Sequence, residues 1–237
     1  MNAADEVRAL TFDVFGTVVD WRTSITREAA AMGAAKGIEA DWGAFAAEWR
    51  GMYDPALEEV RSGRRPWTKL DDLHRESLMT LLPKYGLDAL DDAELEFLNT
   101  AWHRLDPWPD VLKGFARLKR RYPLVTLSNG NVALMLNMAR RAGIPWDAIL
   151  GAEVSKHYKP QPEAYLITAD LLGLLPSQCM LVAAHPRDLD AAASTCFRTA
   201  YVDRPLEYPE RPPNVIPPGR YDFVASDMID LAAQMGC

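Results

Sequence analysis

The stretch Leu10-Thr11-Phe12-Asp13-Val14-Phe15-Gly16-Thr17 (LTFDVFGT) sets one carboxylate at the end of an apolar run, just before a tight turn. Val7, Leu10, Phe12 and Val14 are the β-formers, and Gly16 gives the turn the backbone freedom it needs. An acid at the carboxyl end of a first strand stands where open α/β sheets collect ligands. There Asp13 can serve as nucleophile, base or metal ligand. Two residues on, Phe15 has no atom that binds a metal, which narrows the chemistry open to Asp13.

Outward from this strand the chain changes character twice. Between Ser24 and Trp102 no strand pattern occurs. The segments 24–36, 41–61, 66–84 and 91–103 read as amphipathic helices, and Trp21, Trp42, Trp49, Trp67 and Trp102 gather there. The run Asp106-Pro107-Trp108-Pro109 carries two prolines that break any helix. After it, strands at 124–127, 148–150, 180–184, 199–202 and 222–225 alternate with helices. These are expected at 132–142 (closed by Gly143), 162–172 (closed by Gly173), 188–196 and 228–235. Such alternation predicts an α/β fold, a parallel Rossmann-like sheet with helices on both faces. Residues 1–20 and 104–237 form its core, and 21–103 are an inserted helical subdomain. The proline-rich run 205–218 reads as a plain connecting loop on the surface.

The 237 residues suffice for a sizeable apolar core, and 49% hydrophobic with 25% charged residues fits an ordinary globular protein. A net charge of −7 argues against nucleic-acid or anionic-membrane partners, so a bound anion must be held by local cations and backbone amides. The N-terminal MNAADEVRAL lacks a basic segment followed by a long apolar one, and no run approaches a membrane span. Three cysteines form no ligand spacing and no paired framework, which suits a reducing cytoplasm. Cys179 and Cys196 are expected in the core and Cys237 at a frayed terminus.

Four short segments follow strands or open helices and are expected to converge at the carboxyl edge of the sheet. They are Asp13 with Phe15 and Thr17; Ser128-Asn129-Gly130; Lys159-Pro160 with Tyr165; and Asp188 with Asp190 after VAAHPR. Taken together, in this order, they resemble the haloacid dehalogenase superfamily, in which the strand-one Asp is a covalent nucleophile. The resemblance spans almost the whole core, and the helical insert stands where that superfamily carries its cap. Its phosphatase branch has a DxD motif and an acid after the fourth strand that bind magnesium. Here those positions hold Phe15 and Ala183, a ring and a methyl group, whereas magnesium needs several oxygen ligands.

Without a metal, Asp13 can still displace a group that leaves as a stable anion. The pattern looks like the L-2-haloacid dehalogenase branch, whose members hydrolyse 2-haloalkanoates with no metal or organic cofactor. The resemblance implies that Asp13 attacks the halogen-bearing carbon to give an ester, which water then hydrolyses. It implies Arg50 and Asn129 as halide donors. Ser128 and the backbone amides that follow Asp13, from Val14 and Phe15, would hold the substrate carboxylate. Thr17 would orient Asp13 or the carbonyl oxygen during hydrolysis, Lys159 would keep Asp13 ionised, Tyr165 would bond Lys159 or Asp188, and Asp188 would position or deprotonate the water. Where the branch has SSNxxD, this chain has Ala183-Ala184-His185-Pro186-Arg187-Asp188, so His185 replaces the missing Ser and Asn as a donor to halide or water. Among the tryptophans, Trp21 is the choice for a wall of the halide pocket, ahead of Trp49 and Trp67. Members of the branch are often dimers, so a homodimer is one expectation. The rival readings are a magnesium phosphatase of the same superfamily and an inactive binding scaffold.

Overall fold

Strand β1 (Ala9–Phe12) lies at the centre of a sheet, and all four of its residues are buried in a computed structural model that describes residues 3–237. Met1 and Asn2, the first residues of the N-terminal stretch read above, lie outside the described residues. Next come β2 (Val19–Asp20) and β3 (Asp106–Pro107), an antiparallel pair of two residues each. The remaining strands are β4 (Leu124–Ser128), β5 (Ala148–Gly151), β6 (Cys179–Ala183), β7 (Arg198–Val202) and β8 (Phe223–Ala225). They join β1 in one six-stranded sheet of order β5-β4-β1-β6-β7-β8, parallel throughout. Leu10 pairs with Leu124 on one side and Met180 on the other. The chain therefore leaves β1 toward β4 and returns toward β6, which makes the carboxyl end of β1 the switch point where such sheets bind ligands.

The helices of the insert break where the sequence supplies a reason. The expected helix 41–61 is two, Trp42–Gly51 and Tyr53–Arg61. Pro55 has no N–H to donate to the Gly51 carbonyl, so one continuous helix cannot pass this point. The expected 66–84 shortens to Leu70–Leu81 plus a 3-10 turn at Pro83–Tyr85, again at a proline. The expected 91–103 runs as Asp92–Asn99, opened by a capping box between Asp91 and Glu94, and tightens into a 3-10 turn at Thr100–Arg104. The insert is tied to the sheet by Asn131 Nδ2 donating to Asp71 (2.8 Å), Arg61 donating to the Lys159 carbonyl (3.0 Å) and Tyr158 Oη donating to the Thr68 carbonyl (2.7 Å).

Three expectations are corrected. Cys196 is exposed, because it closes the turn after helix Pro186–Ser194 with a left-handed backbone (φ 67°). The terminus at Cys237 is not frayed: its carbonyl accepts two bonds from the Arg117 guanidinium, at 2.6 and 3.1 Å. The run 205–218 is more than a connector, since it turns Glu207 inward until only 3% of it remains exposed. No helix among the described residues is long and apolar enough to cross a membrane.

Candidate active site

Asp13 follows β1 directly, its N–H still bonded to the Val182 carbonyl of β6, so the ladder fixes where its carboxylate stands. Lys159 Nζ donates to Asp13 Oδ1 at 2.9 Å and to Asp188 Oδ2 at 2.5 Å. Tyr165 Oη donates to the other Asp188 oxygen at 2.6 Å. On the far side, Thr17 Oγ1 donates to Asp13 Oδ2 at 2.6 Å and itself accepts from the Ala184 N–H at 2.9 Å. His185 Nδ1 lies 3.0 Å from the same Oδ2, and its Nε2 lies 2.9 Å from Glu207 Oε2. Asp188 sits in the first turn of helix Pro186–Ser194, and His185 is the extended residue just before it.

These contacts set the charges. Burial favours a neutral Asp13, but Lys159, His185 and Thr17 outweigh it and hold the carboxyl well below the usual carboxylate range. Burial, aided by the charge of Asp13, pushes Asp188 up against the pull of Lys159 and Tyr165. Burial likewise opposes charge on Lys159, yet the two aspartates keep its ammonium more firmly protonated than in water. For His185 burial again works against the cation, but Glu207 and Asp13 push it up to about 10. Two neighbouring carboxyls are thus driven apart, one held charged and one made basic, as acid–base sites require.

A cavity of about 570 Å³ opens onto this cluster and is lined by Asp13, Phe15, Trp21, Arg50, Tyr53, Asn129, Lys159, His185 and Asp188, together with arginines 22, 61, 187 and 211. The guanidinium of Arg50 stacks 4.1 Å from the Tyr53 ring, and its Nε is buried without a hydrogen-bond partner. Asn129 Oδ1 accepts from the Lys159 N–H at 2.8 Å and its NH₂ group bonds the Tyr53 hydroxyl, which leaves one amide N–H for a ligand. The Phe15 ring stands edge-on to Trp102 and Tyr53. Trp21 lines the cavity while its Nε1 donates to Glu207 Oε1 at 3.0 Å.

Other residues named from the sequence stand elsewhere. Ser128 is fully buried, lies outside the cavity lining, and accepts from the Gly130 N–H at 3.1 Å, so its side chain shapes the turn. The Val14 side chain is buried in the core, and only its backbone faces the turn, where the carbonyl accepts from Val18 and Val19. Of the two partners expected for Tyr165 its hydroxyl bonds Asp188, and the residue stands behind that acid, fully buried and outside the cavity lining, so it does not reach substrate. Trp49 packs within the insert, Trp67 packs from the insert against Tyr158 of the core, and neither lines the cavity. Glu207 and Tyr53 were missed. An acid among prolines carries no periodic or motif signal, and Tyr53 lies just past an unrecognised helix break.

Phe15 and Ala183 leave Asp13 no neighbouring oxygen set for a divalent cation, and among the described residues no group of three or more His, Cys, Asp or Glu side chains is arranged to hold a metal ion. What faces the cavity is a carboxylate backed by cations and flanked by donors. Such a site opens an electrophilic carbon and receives an anion.

The sequence profile of the haloacid dehalogenase-like hydrolase family matches residues 7–194. A solved defluorinating L-2-haloacid dehalogenase is 47% identical and superposes with a TM-score of 0.94 over 98% of this chain and 96% of its own. Another solved L-2-haloacid dehalogenase is 46% identical, with a TM-score of 0.92 over 97% of this chain and 99% of its own. The (S)-2-haloacid dehalogenase 1 of Pseudomonas sp. (strain CBS-3) is 29% identical over 86% of this chain and 89% of its own. The chain belongs to the haloacid dehalogenase-like hydrolases, in their L-2-haloacid dehalogenase branch.

Proposed function

We propose that this protein hydrolyses short 2-haloalkanoates, such as haloacetates and L-2-halopropionates, to 2-hydroxy acids through an ester on Asp13, with no metal or organic cofactor. The observation that carries this reading is an Asp13 carboxylate held ionised by Lys159 at 2.9 Å, beside a phenyl ring at position 15 that can protonate no leaving group. A halide needs no proton to depart.

In the first step Asp13 Oδ1 attacks the halogen-bearing carbon from the side opposite the halogen. The carbon–oxygen bond forms, the carbon–halogen bond breaks, and the halide leaves with the bonding pair, inverting the centre. Arg50, with its unpaired Nε, and the Asn129 NH₂ meet the departing anion. Backbone amides after Asp13 hold the substrate carboxylate, and Phe15 and Trp21 wall the pocket. In the second step water attacks Asp13 Cγ while Asp188 accepts its proton. Both Asp188 oxygens already accept a bond, yet each keeps a second lone pair, and a raised affinity for protons suits a base. The Cγ–Oδ1 bond breaks, Oδ1 leaves as the hydroxyl oxygen of the hydroxy acid with one proton of the water, the water oxygen takes its place on Cγ, and the other proton is released. Fluoroacetate belongs among the substrates, supported by the defluorinating relative at 47% identity.

The test is halide release from a panel of haloacetates, fluoroacetate included, and L- and D-2-halopropionates in excess EDTA. Release is expected to survive chelation and to vanish in Asp13→Asn. Turnover that needs added magnesium, or that persists in Asp13→Asn, would overturn the reading.

A further inference from the structure

The proposed ester hydrolysis develops negative charge on one oxygen of Asp13, and the two oxygens are not equivalent. Oδ1 meets only Lys159, an ammonium shared with Asp188, whereas Oδ2 receives both Thr17 Oγ1 (2.6 Å) and His185 Nδ1 (3.0 Å). The direction of each bond is fixed. Ala184 N–H donates to Thr17 Oγ1, so the Thr17 hydroxyl proton points at Oδ2. His185 lies between two carboxylates, and ionised carboxylates only accept, so both of its ring nitrogens carry protons. An imidazole donating from both nitrogens cannot serve as the base that activates water.

Thr17 stands at the ester carbonyl as the family resemblance implies; we propose that His185 joins it to complete an oxyanion hole for Asp13 Oδ2 during ester hydrolysis, and that Glu207 is the positioning residue that holds His185 in that role. The proposal rests on the ester mechanism above. Oδ1, the less engaged oxygen, makes the bond to substrate, and Oδ2 remains as the ester carbonyl. When water bonds to Cγ, the carbonyl electron pair moves onto Oδ2, where two donors are already in place. Collapse returns the pair, expels the substrate oxygen as the hydroxy acid once it takes the proton from Asp188, and restores the carboxylate. Preorganised donors of this kind account for about 10²- to 10³-fold in rate when one is removed.

The placement of Glu207 is built. It is the one buried residue in the run 205–220. Trp21 Nε1 fixes its Oε1 while His185 takes its Oε2. A Cβ added at Gly16 would stand 2.0 Å from Glu207 Oε1, so the turn after the nucleophile is open where this carboxylate lies. Gly16 itself has a φ of +84°. A carboxylate buried there is costly unless it is matched by a cation, and the imidazolium is that cation. Besides Asp13 and Glu207 in direct contact, the charged groups lining the cavity with His185 include Lys159, Asp188, Arg50 and Arg187.

The experiment follows the first turnover of chloroacetate in the wild type, Glu207→Gln and Glu207→Asp, reading free halide and, by mass spectrometry of the intact chain, the ester on Asp13. In Glu207→Gln the first halide is expected at near wild-type rate, with the ester accumulating as its hydrolysis slows about ten- to a hundredfold. Glu207→Asp is expected to recover part of the loss. Equal slowing of both steps with no ester accumulating, or an unchanged steady-state rate, would overturn the proposal. Absence of halide release by the wild type would instead sink the ester mechanism beneath it. Should Glu207→Gln fail to fold, ¹⁵N spectra of the histidine-labelled wild type and His185→Asn decide: an imidazolium signal at pH 8 that is present in the wild type and missing in His185→Asn is expected, and the lack of any such His185-dependent signal would overturn the proposal.

Discussion

Asp13 is kept charged by its neighbours in a place where water cannot do so. Replacing Lys159 by Met leaves Asp13 and Asp188 facing each other in the dark of the protein with their shared cation gone. Halide release in the first turnover is expected to disappear, and a urea titration at neutral pH is expected to show a loss of about 3 kcal/mol, the cost of uncoupling a buried ion pair. His185 gives a second handle through pH. Its folded value, about 10, lies above the ordinary 6.5, so the stability it contributes is whole below about pH 6.5 and lost as pH rises through about 10. Asp13 has the opposite sign: its depressed carboxyl stabilises the fold at neutral pH, and that contribution is lost in acid. The urea midpoint is therefore expected to fall between pH 7 and pH 10 in the wild type and to fall less in His185→Asn. A parallel decline in both proteins would refute the assignment.

At the level of the element, two glycines separate backbone strain from site geometry. Gly143 closes helix Val132–Ala142 with φ +68° and nothing within 4 Å of where a Cβ would go. Gly143→Ala is expected to cost about 1 kcal/mol and to leave turnover unchanged. Gly16→Ala meets the Glu207 carboxylate as well as an unfavourable φ, and activity is expected to fall with stability. Thermal melts with steady-state assays on the two variants make the comparison. Helix Val132–Ala142 was legible to the residue because a glycine ends it, whereas 41–61 was misread because a proline three residues into a helix looks the same in sequence as one inside it. The β2–β3 pair was invisible, being two residues per strand. Asp13, Lys159 and Asp188 could be found because each sits a fixed step from a strand end or helix start. Glu207 could not, because its position is set by the path of an irregular segment folding back over the turn at Gly16.

For the molecule as a whole, an acidic protein must admit an acidic substrate. The chain carries a net charge of −7, while arginines 22, 61, 187 and 211 are among the residues lining the cavity. Arg22 and Arg187 are paired with Glu210 and Asp54, Arg61 with Asp54 and Glu58, and Arg211 lies 3.9 Å from the Tyr208 ring. With a Debye length of about 8 Å in physiological salt, the nearby arginines dominate what an approaching anion feels. Arg211→Glu is expected to raise KM for chloroacetate about two- to fivefold at low ionic strength with kcat little changed, and the difference is expected to fade near 1 M salt. An unchanged KM would place the entry field elsewhere. The family profile ends at residue 194, thirteen positions short of the carboxylate that touches His185. An engineer choosing where to graft an epitope or attach a dye would pick the exposed proline-rich segment as a permissive site. A graft there that displaced Glu207 would slow the enzyme while leaving every recognised motif untouched.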